Sequence, residues 1–338
     1  MPVSIIVGGQ FGSEGKGKAA HYFAKEKKAA IAVRVGGANS GHTVVDSLGN
    51  QLIFKVLPTA SILNDIDCLL PSGAYIDLDI LFEEIRVSGL DPHRLKIDPN
   101  AVIVTHDQKE GEASSGLRNE IGSTLSGTGR AVVDRILRNR TVLLAKDEPR
   151  VKQFIIPTKE YMRHALDKGQ HIVIEGTQGY GLSVMHSEYY PYVTSRDTTA
   201  AGFLCETGLS PFDVQDIVLV IRAFPIRVTG NSGPLPNEID WATVTEECGA
   251  SSDIIEYTSV TKLVRRVARF DADIVKKAIT VNSPNIIVLN HVDYIDNEMK
   301  MNPYHLTSKA ENFVNDIQTI IGREIDYIGT DQKVILPN

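Results

Sequence analysis

The chain has 338 residues, of which 42% are hydrophobic and 23% charged, as is ordinary for a globular protein long enough to bury a sizeable core. Its net charge of −7 argues against a broad surface for nucleic acid or anionic membrane. Its three cysteines lack CxxC spacing, which suggests neither a disulfide framework nor a zinc site, and no apolar stretch is long enough to span a bilayer. We therefore expect a cytoplasmic protein whose partners are neither nucleic acid nor membrane.

The first twenty residues predict a phosphate site. A short apolar run, Val3 to Val7, is typical of a buried strand, and a segment with five glycines and two lysines follows at Gly8–Lys18. Glycines let backbone N–H groups approach an anion, and the next helix directs its positive end towards it. Gly12-x4-Gly17-Lys18 matches the start of a P-loop, but Ala19 replaces the hydroxyl residue that holds Mg²⁺. A standard P-loop NTPase is disfavoured, and an ordinary tight turn remains the alternative.

Two further strands end in polar, glycine-rich turns. The strand Ala30–Val35 runs into Gly36–Thr43, which contains His42, and the strand from His171 ends in a turn at 175–179. A lone loop histidine is more often a surface residue, but beside a phosphate loop we expect His42 to take part in chemistry. Because ligands of open α/β sheets bind where parallel strands end, the three turns predict a shared cleft.

The rest of the chain alternates strands with helical stretches. It contains no repeat, low-complexity segment or polar linker, so we predict a single domain over residues 1–338, of α/β class, with a mostly parallel central sheet covered by helices. The glycine-rich and serine-rich stretch 111–129 could equally be a mobile surface loop, and the basic cluster at 262–266 a solvated face. Further elements are predicted at 52–56, 79–88, 101–104, 217–222, 285–290, 306–321 and 325–328.

Several segments together resemble the adenylosuccinate synthetase family over nearly the whole chain. They are Gly9–Lys18, Asn39–Thr43, Ile121–Thr124, Glu175–Gly179, Tyr190–Ser195 and the late Val-Leu-Asn-His-Val-Asp293. The resemblance implies the P-loop-NTPase-like fold of that family. It also implies a ligase that phosphorylates O6 of a purine monophosphate with a nucleoside triphosphate and displaces the phosphate with the amine of L-aspartate.

The resemblance also implies roles for individual residues. Those implied to bind ATP are Gly12, Ser13, Glu14, Gly15, Lys16, Gly17, Lys18, Gly41, His42, Thr43, Arg265, Asn290, His291, Asp293, Gly329, Thr330 and Asp331. Those implied to bind the purine monophosphate are Ser13, Asn39, Ser123, Thr124, Gln178, Thr194 and Arg138, the last donated by the second subunit of a homodimer. Aspartate is assigned to Val260, Thr261 and Arg265, catalysis to Ser13, His42 and Gln178, and Mg²⁺ to Ser13 and the carbonyl of Gly41.

Three departures from the family pattern bear on the substrate. Ser13 stands where the family has an aspartate that takes the purine N1 proton, and Leu263 stands where it has an arginine directed at the ribose. The sequence 290–293 replaces a lysine-bearing guanine-recognition sequence, which argues against specificity for GTP and leaves the choice among ATP, dATP and GTP open. These changes resemble a phage-type branch that joins aspartate to dGMP, giving N6-succino-2-amino-2′-deoxyadenylate, a precursor of 2-aminoadenine DNA. The alternatives are the ordinary reaction of IMP with GTP and a nucleotide-binding regulator without activity.

Overall fold

The computed structural model describes residues 2–258 and 262–338, and a nine-stranded sheet forms its centre. The strands are β1 Val3–Gly8, β2 Ile31–Arg34, β3 His42–Val45, β4 Gln51–Phe54, β5 Asp67–Leu70, β6 Tyr75–Ile76, β7 Leu95–Ile97, β8 Val102–Ile103, β9 Leu143–Leu144, β10 Ile172–Glu175, β11 Val214–Arg222, β12 Ile226–Arg227, β13 Glu238–Ile239, β14 Arg266–Ala268, β15 Ile286–Asn290, β16 Tyr327–Gly329 and β17 Ile335–Pro337. The helices are α1 Lys16–Glu26, α2 Leu78–Ser88, α3 His106–Ala113, α4 Leu117–Ile121, α5 Thr128–Ile136, α6 Thr158–Asp167, α7 Ala200–Thr207, α8 Trp241–Cys248, α9 Ala272–Asn282 and α10 Ser308–Ile321.

The order of strands in the large sheet is β17-β16-β15-β11-β1-β10-β2-β5-β7, and every neighbouring pair is parallel except β16 with β17. β1 lies between β10 and β11, which come more than 160 residues later in the chain. The ends of β15, β11, β1, β10 and β2 therefore meet along one edge, where ligands of such sheets bind.

Helices cover both faces of the sheet. Val3, Ile5 and Val7 of β1 pack in one apolar cluster with residues of α6, α7, α9 and α10, whereas Ile6 packs in another with Phe23 of α1. This alternation follows from the two-residue period of a strand, and burial on both faces explains why the β1 sequence is apolar almost throughout. The predicted α/β class and mostly parallel sheet are confirmed.

Some local predictions were wrong. The segment 52–56 does not join the central sheet, because β4 pairs with β3 as a separate antiparallel hairpin. β17 was not predicted, and it closes the edge beside β16. Helix α5 ends at Ile136, and Arg138, two residues beyond it, adopts a positive φ of 57°. No helix among the described residues is long and apolar enough to cross a membrane.

Gly176 marks the closest approach between β10 and its surroundings. A Cβ at this position would lie 2.3 Å from Cε2 of Phe203 and 2.4 Å from the main-chain oxygen of Ile6. The backbone N–H of Gly176 also donates to that oxygen at 3.0 Å, which fixes the turn that carries Gln178. A side chain here would displace either the ring or the strand.

We expect Gly176→Ala to lower the free energy of unfolding by about 1–3 kcal/mol, the usual cost of overpacking a core. Gly111→Ala is the matched control, because Gly111 lies in α3 with its nearest neighbour 3.7 Å away and alanine favours helix. The urea midpoint of each variant measures the effect. Equal midpoints for the two variants would contradict this account of the turn.

Candidate active site

A buried carboxylate shapes the glycine loop between β1 and α1. Oε1 of Glu14 accepts from the backbone N–H groups of Gln10 at 3.1 Å and Gly12 at 2.8 Å, and Oε2 accepts from Nζ of Lys16 at 2.5 Å. Gly12, Ser13 and Gly15 all have positive φ angles, of 90°, 58° and 90°. Glu14 and Lys16 therefore hold the loop itself, and their charges offset each other inside it.

His42 lies against this loop because Gly17 has no side chain. A Cβ at Gly17 would lie 2.9 Å from Cβ of His42 and 3.1 Å from the main-chain oxygen of Thr43. The start of α1 thus packs directly on β3. Gly41 is half-buried at the beginning of that strand, and the Thr43 side chain is exposed.

A carboxylate at the end of β10 holds His42. Its Nδ1 lies 2.6 Å from Oε1 of Glu175, whose Oε2 accepts from the backbone N–H of Thr59 at 2.7 Å and from its hydroxyl at 2.8 Å. Burial and the Arg34 guanidinium lower the pKa of His42 to about 3, and Glu175 opposes the shift. Nη1 of Arg34, which only donates, lies 2.9 Å from Nδ1 and 3.3 Å from Nε2. Because the Glu175 carboxylate only accepts, we assign the proton of the neutral ring to Nδ1, and Nε2 then accepts from Arg34.

The turns after β2 and β10 meet beside the loop. A Cβ at Gly12 would lie 3.8 Å from Oε1 of Gln178, which has a positive φ of 59°. Nδ2 of Asn39 donates to the hydroxyl of Thr194 at 3.3 Å, and Oδ1 of Asn39 is buried without a hydrogen-bond partner among the described residues. An unsatisfied buried acceptor is uncommon and indicates a place where a ligand donor would be welcome.

The late strand is tied to the same loop. Nδ2 of Asn290 donates to the main-chain oxygen of Glu14 at 2.8 Å. The side-chain amide of Asn290 fits here only because two glycines flank it. A Cβ at Gly15 would lie 2.6 Å from its Nδ2, and a Cβ at Gly329 would lie 1.8 Å from its Oδ1. Asn290 therefore fixes the loop to β15 and β16.

A polar cluster surrounds Lys18 at this edge. Its Nζ donates to the main-chain oxygen of Asp331 at 2.7 Å. Burial lowers the pKa of Lys18 to about 8, although the carboxylates of Asp293 and Asp331 oppose this shift. Burial also raises the pKa of Asp293 to about 6. His291 has a positive φ, and burial and the charge of Arg222 lower its pKa. The buried hydroxyl of Thr330 donates to the main-chain oxygen of Pro303.

Ser13 is held by two arginines. Arg265 donates to its hydroxyl, and Arg222 donates to its main-chain oxygen at 2.9 Å. Arg222 is also paired with Glu256. Sequence reasoning missed Arg222 and Glu256. Arg222 could have been noticed in the sequence, because it is a charged residue directly after the apolar run of the buried strand β11.

Three residues assigned to the monophosphate are not joined to this group. The hydroxyl of Ser123 donates to Glu112 at 2.6 Å, Thr124 is exposed, and Arg138 is exposed beyond the end of α5. In the part of the chain that the structure describes, none of the three hydrogen-bonds to Ser13, His42 or Gln178. Val260 and Thr261, assigned to aspartate, lie outside the described residues.

Comparisons with known proteins identify the family of this chain. The sequence pattern of the family described as adenylosuccinate synthetase matches residues 5–146 and 141–303. The chain is 36% identical to an adenylosuccinate synthetase of Methanocaldococcus jannaschii over 99% of this chain and 95% of that protein. The enzyme of Thermococcus sibiricus is 32% identical over 99% and 97%.

Two solved structures are also similar. Succinoaminodeoxyadenylate synthetase of cyanophage S-2L, bound to dGMP and to dATP as an energy donor, is 31% identical with a TM-score of 0.83, over 99% of this chain and 95% of that one. The fully ligated adenylosuccinate synthetase of Plasmodium falciparum has a TM-score of 0.85 at 19% identity over the whole of both chains, and it shows the fold alone. The present chain belongs to the adenylosuccinate synthetase family, ligases that join aspartate to a purine nucleotide by a C–N bond.

Proposed function

We propose that this ligase acts on dGMP, with ATP as energy donor and L-aspartate as nucleophile, and forms N6-succino-2-amino-2′-deoxyadenylate. The observation that carries the proposal is Ser13, a neutral side chain held by Arg265 at a position where the family resemblance implies a carboxylate. The similarity to a cyanophage enzyme solved with dGMP and dATP supports the same substrate pair. The product of this reaction would be a precursor of 2-aminoadenine DNA, as in the phage-type branch of the family.

The first step is transfer of the γ-phosphoryl group of ATP to O6 of the purine. The N–H groups of the glycine loop, the N-terminus of α1 and Lys18 would meet the triphosphate, which is the usual environment for such anions. His42 borders the loop and would stabilise the phosphoryl group in transit. Its Nε2 would make this contact in place of the one with Arg34, because Nδ1 is engaged by Glu175.

The purine nucleotide would occupy the space bordered by the turns after β2 and β10. Gln178 lies next to the glycine loop and would face O6. The Thr194 hydroxyl would donate to the monophosphate group, whereas Oδ1 of Asn39, which has no partner among the described residues and only accepts, would take a hydrogen bond from a water bound to that group. Arg265 would then hold the carboxylates of aspartate for attack at C6, with loss of phosphate. Positioning of the amine is sufficient, because the 6-phosphoryl group is a good leaving group.

The protein offers little of its own for Mg²⁺. Among the described residues, no group of three His, Cys, Asp or Glu side chains could hold a metal ion. Ser13 is a poor ligand, because the cationic Arg265 occupies its hydroxyl. Gly41 is the better candidate, with a carbonyl beside His42. This fits Mg²⁺ brought by the triphosphate, which would neutralise phosphate charge while keeping several of its waters.

An apolar surface next to Arg138 supports a homodimer. Val133, Ile136 and Leu137 at the end of α5 are 48%, 70% and 61% exposed. Three large apolar side chains beside an exposed arginine are typical of an interaction surface. A second copy seated there would bring Arg138 to the neighbouring monophosphate site.

The second candidate is the ordinary reaction of IMP with GTP. Its support is the similarity to archaeal adenylosuccinate synthetases, which reaches 36% identity. It would require a base other than Ser13, and a guanine site in which His291 and Asp293 replace the lysine-bearing sequence. Substrate preference separates the two candidates.

We predict that kcat/KM, at saturating ATP and aspartate, is highest for dGMP among dGMP, GMP, dIMP and IMP. Leu263 is 49% exposed and offers no partner to a ribose 2′-OH, and a polar group buried without a partner costs about 1–3 kcal/mol. Without a carboxylate at residue 13, there is room for the 2-amino group. Leu263→Arg is the matched variant, and it should lower the preference for dGMP over GMP. IMP as the best substrate would overturn the proposal.

His42→Ala should lower kcat by more than about tenfold with little change in nucleotide affinity. His42→Asn is the sharper variant, because its amide retains an N–H donor towards Glu175 and removes only Nε2. It should be as slow as His42→Ala. The surface variant His106→Asn serves as the control, and a kcat of His42→Asn within tenfold of wild type would leave His42 a structural residue.

Mixing Arg138→Ala with His42→Ala should restore activity that neither variant has alone. In a hybrid dimer, the subunit with intact His42 receives Arg138 from its neighbour, so equal mixing gives about a quarter of wild-type activity. The measurement is turnover after subunit exchange, followed by native mass spectrometry of the mixture. Exchange without recovery of activity would mean that Arg138 does not act across the interface.

A further inference from the structure

Ser13 lies in a positive environment. Nη1 of Arg265 donates to its hydroxyl and Nη1 of Arg222 to its main-chain oxygen, while the serine itself is exposed. Arg222 is completely buried and comes from β11, whereas Arg265 precedes β14. Two guanidinium groups from separate parts of the fold therefore converge on one neutral residue.

One carboxylate balances these two cations. Glu256 accepts from Arg222, and the backbone N–H of Arg265 donates to the main-chain oxygen of Glu256 at 2.9 Å. Burial favours the neutral form of Glu256, but the charges of Arg222 and Arg265 outweigh it and lower its pKa to about 2. Glu256 is thus an anion and a weak proton acceptor.

The remaining nearby groups do not remove the surplus. Glu14 is paired with Lys16, and the lowered pKa of His291 leaves its ring neutral. One positive charge is therefore uncompensated beside Ser13 when the site is empty of substrate. The charged and titratable groups that face this cluster, among residues 2–258 and 262–338, are Glu14, Lys18, Arg222, Glu256, Arg265, His291 and Tyr294.

The proposed reaction requires a negative charge to form at this place. When O6 of a 6-oxopurine attacks the γ-phosphorus, the O6–P bond forms, the bridging P–O bond breaks, and its electron pair leaves with ADP. The N1–H bond is lost in the same half-reaction, and its electron pair becomes the second bond between N1 and C6. The proton needs an acceptor, and before transfer the charge of the purine anion is shared between N1 and O6.

We propose that Arg265, held on Ser13 and only partly compensated by Glu256, stabilises the N1-deprotonated purine, so that the proton passes to water without a protein base. Arg222 is a positioning residue in this scheme, since it fixes both Glu256 and the main chain of Ser13. The exposed side of Ser13 gives the proton a path to solvent. The inference rests on the proposed function, which places the N1–O6 edge of the substrate at Ser13.

The test isolates phosphoryl transfer from aspartate binding. Positional isotope exchange in ATP labelled with ¹⁸O at the β,γ-bridge reports reversible transfer to dGMP without aspartate, and its rate is measured against pH at saturating ATP. We expect an acidic limb that reflects N1 ionisation of the substrate. The analogue 8-aza-dGMP, whose extra ring nitrogen makes N1–H more acidic, should move this limb to lower pH.

Two variants should move the limb in opposite directions. Arg265→Met removes the stabilising charge and should move the midpoint of the acidic limb to higher pH by about one unit or more. At a fixed pH on that limb, the exchange rate should then fall about tenfold. Glu256→Gln removes the compensating carboxylate and should move it downward. Arg266→Met is the matched control, because Arg266 is paired with Glu238 at 2.5 Å and the same change there should leave the limb in place. Circular dichroism verifies that each variant is folded.

If the acidic limb of the pH–rate profile has the same midpoint with dGMP and with 8-aza-dGMP, it reports a protein base, and the inference is overturned. A limb that does not move in folded Arg265→Met, or that moves in the same direction in Glu256→Gln, would do so as well. Exchange with IMP but not dGMP would overturn the proposed function instead, and the limb measured with IMP would still decide the role of Arg265.

Discussion

The buried carboxylate of Glu14 determines the shape of the phosphate loop. It accepts hydrogen bonds from two backbone N–H groups and from Lys16. Two glycines leave space for it, because a Cβ at Gly8 would lie 2.6 Å from its Oε2 and a Cβ at Gly179 would lie 2.3 Å from its Oε1. Its own main-chain oxygen accepts from Asn290. The loop is thus hydrogen-bonded to the end of β15 and packed against the turn that follows β10, and the neighbouring site residues are placed around it.

Polar residues end four neighbouring strands of the sheet. Arg34, Glu175, Arg222 and Asn290 are the last residues of β2, β10, β11 and β15, and all are buried. Burying charge is costly unless each group is paired. Arg34 and Glu175 lie at neighbouring strand ends and share His42, whereas Arg222 is paired with Glu256 from the segment between α8 and β14. The same pairing that makes this edge stable also holds the His42 ring in place beside the phosphate loop.

The local parts of this design could be predicted from the sequence. Apolar runs followed by glycine-rich turns gave the strands and the cleft, because strand period and turn chemistry are encoded in neighbouring residues. The pairs could not be predicted, since Glu175 lies 133 residues from His42 and Arg265 lies 252 residues from Ser13. The β3–β4 hairpin was also missed, because a short apolar segment does not reveal which sheet it joins. Roles of single residues came from the family resemblance.

The tautomer of His42 has a consequence for ligand binding. Its Nδ1 proton is committed to Glu175, and its pKa of about 3 leaves Nε2 without a proton at neutral pH. A polyphosphate oxygen placed against Nε2 would replace the Arg34 donor, would be repelled by the exposed lone pair, and would favour the imidazolium form instead. Under the role proposed for His42, ATP binding therefore draws a proton from solution. The measured binding enthalpy then includes the ionisation heat of the buffer, and calorimetric titrations in buffers of different ionisation enthalpy would give the number of protons taken up.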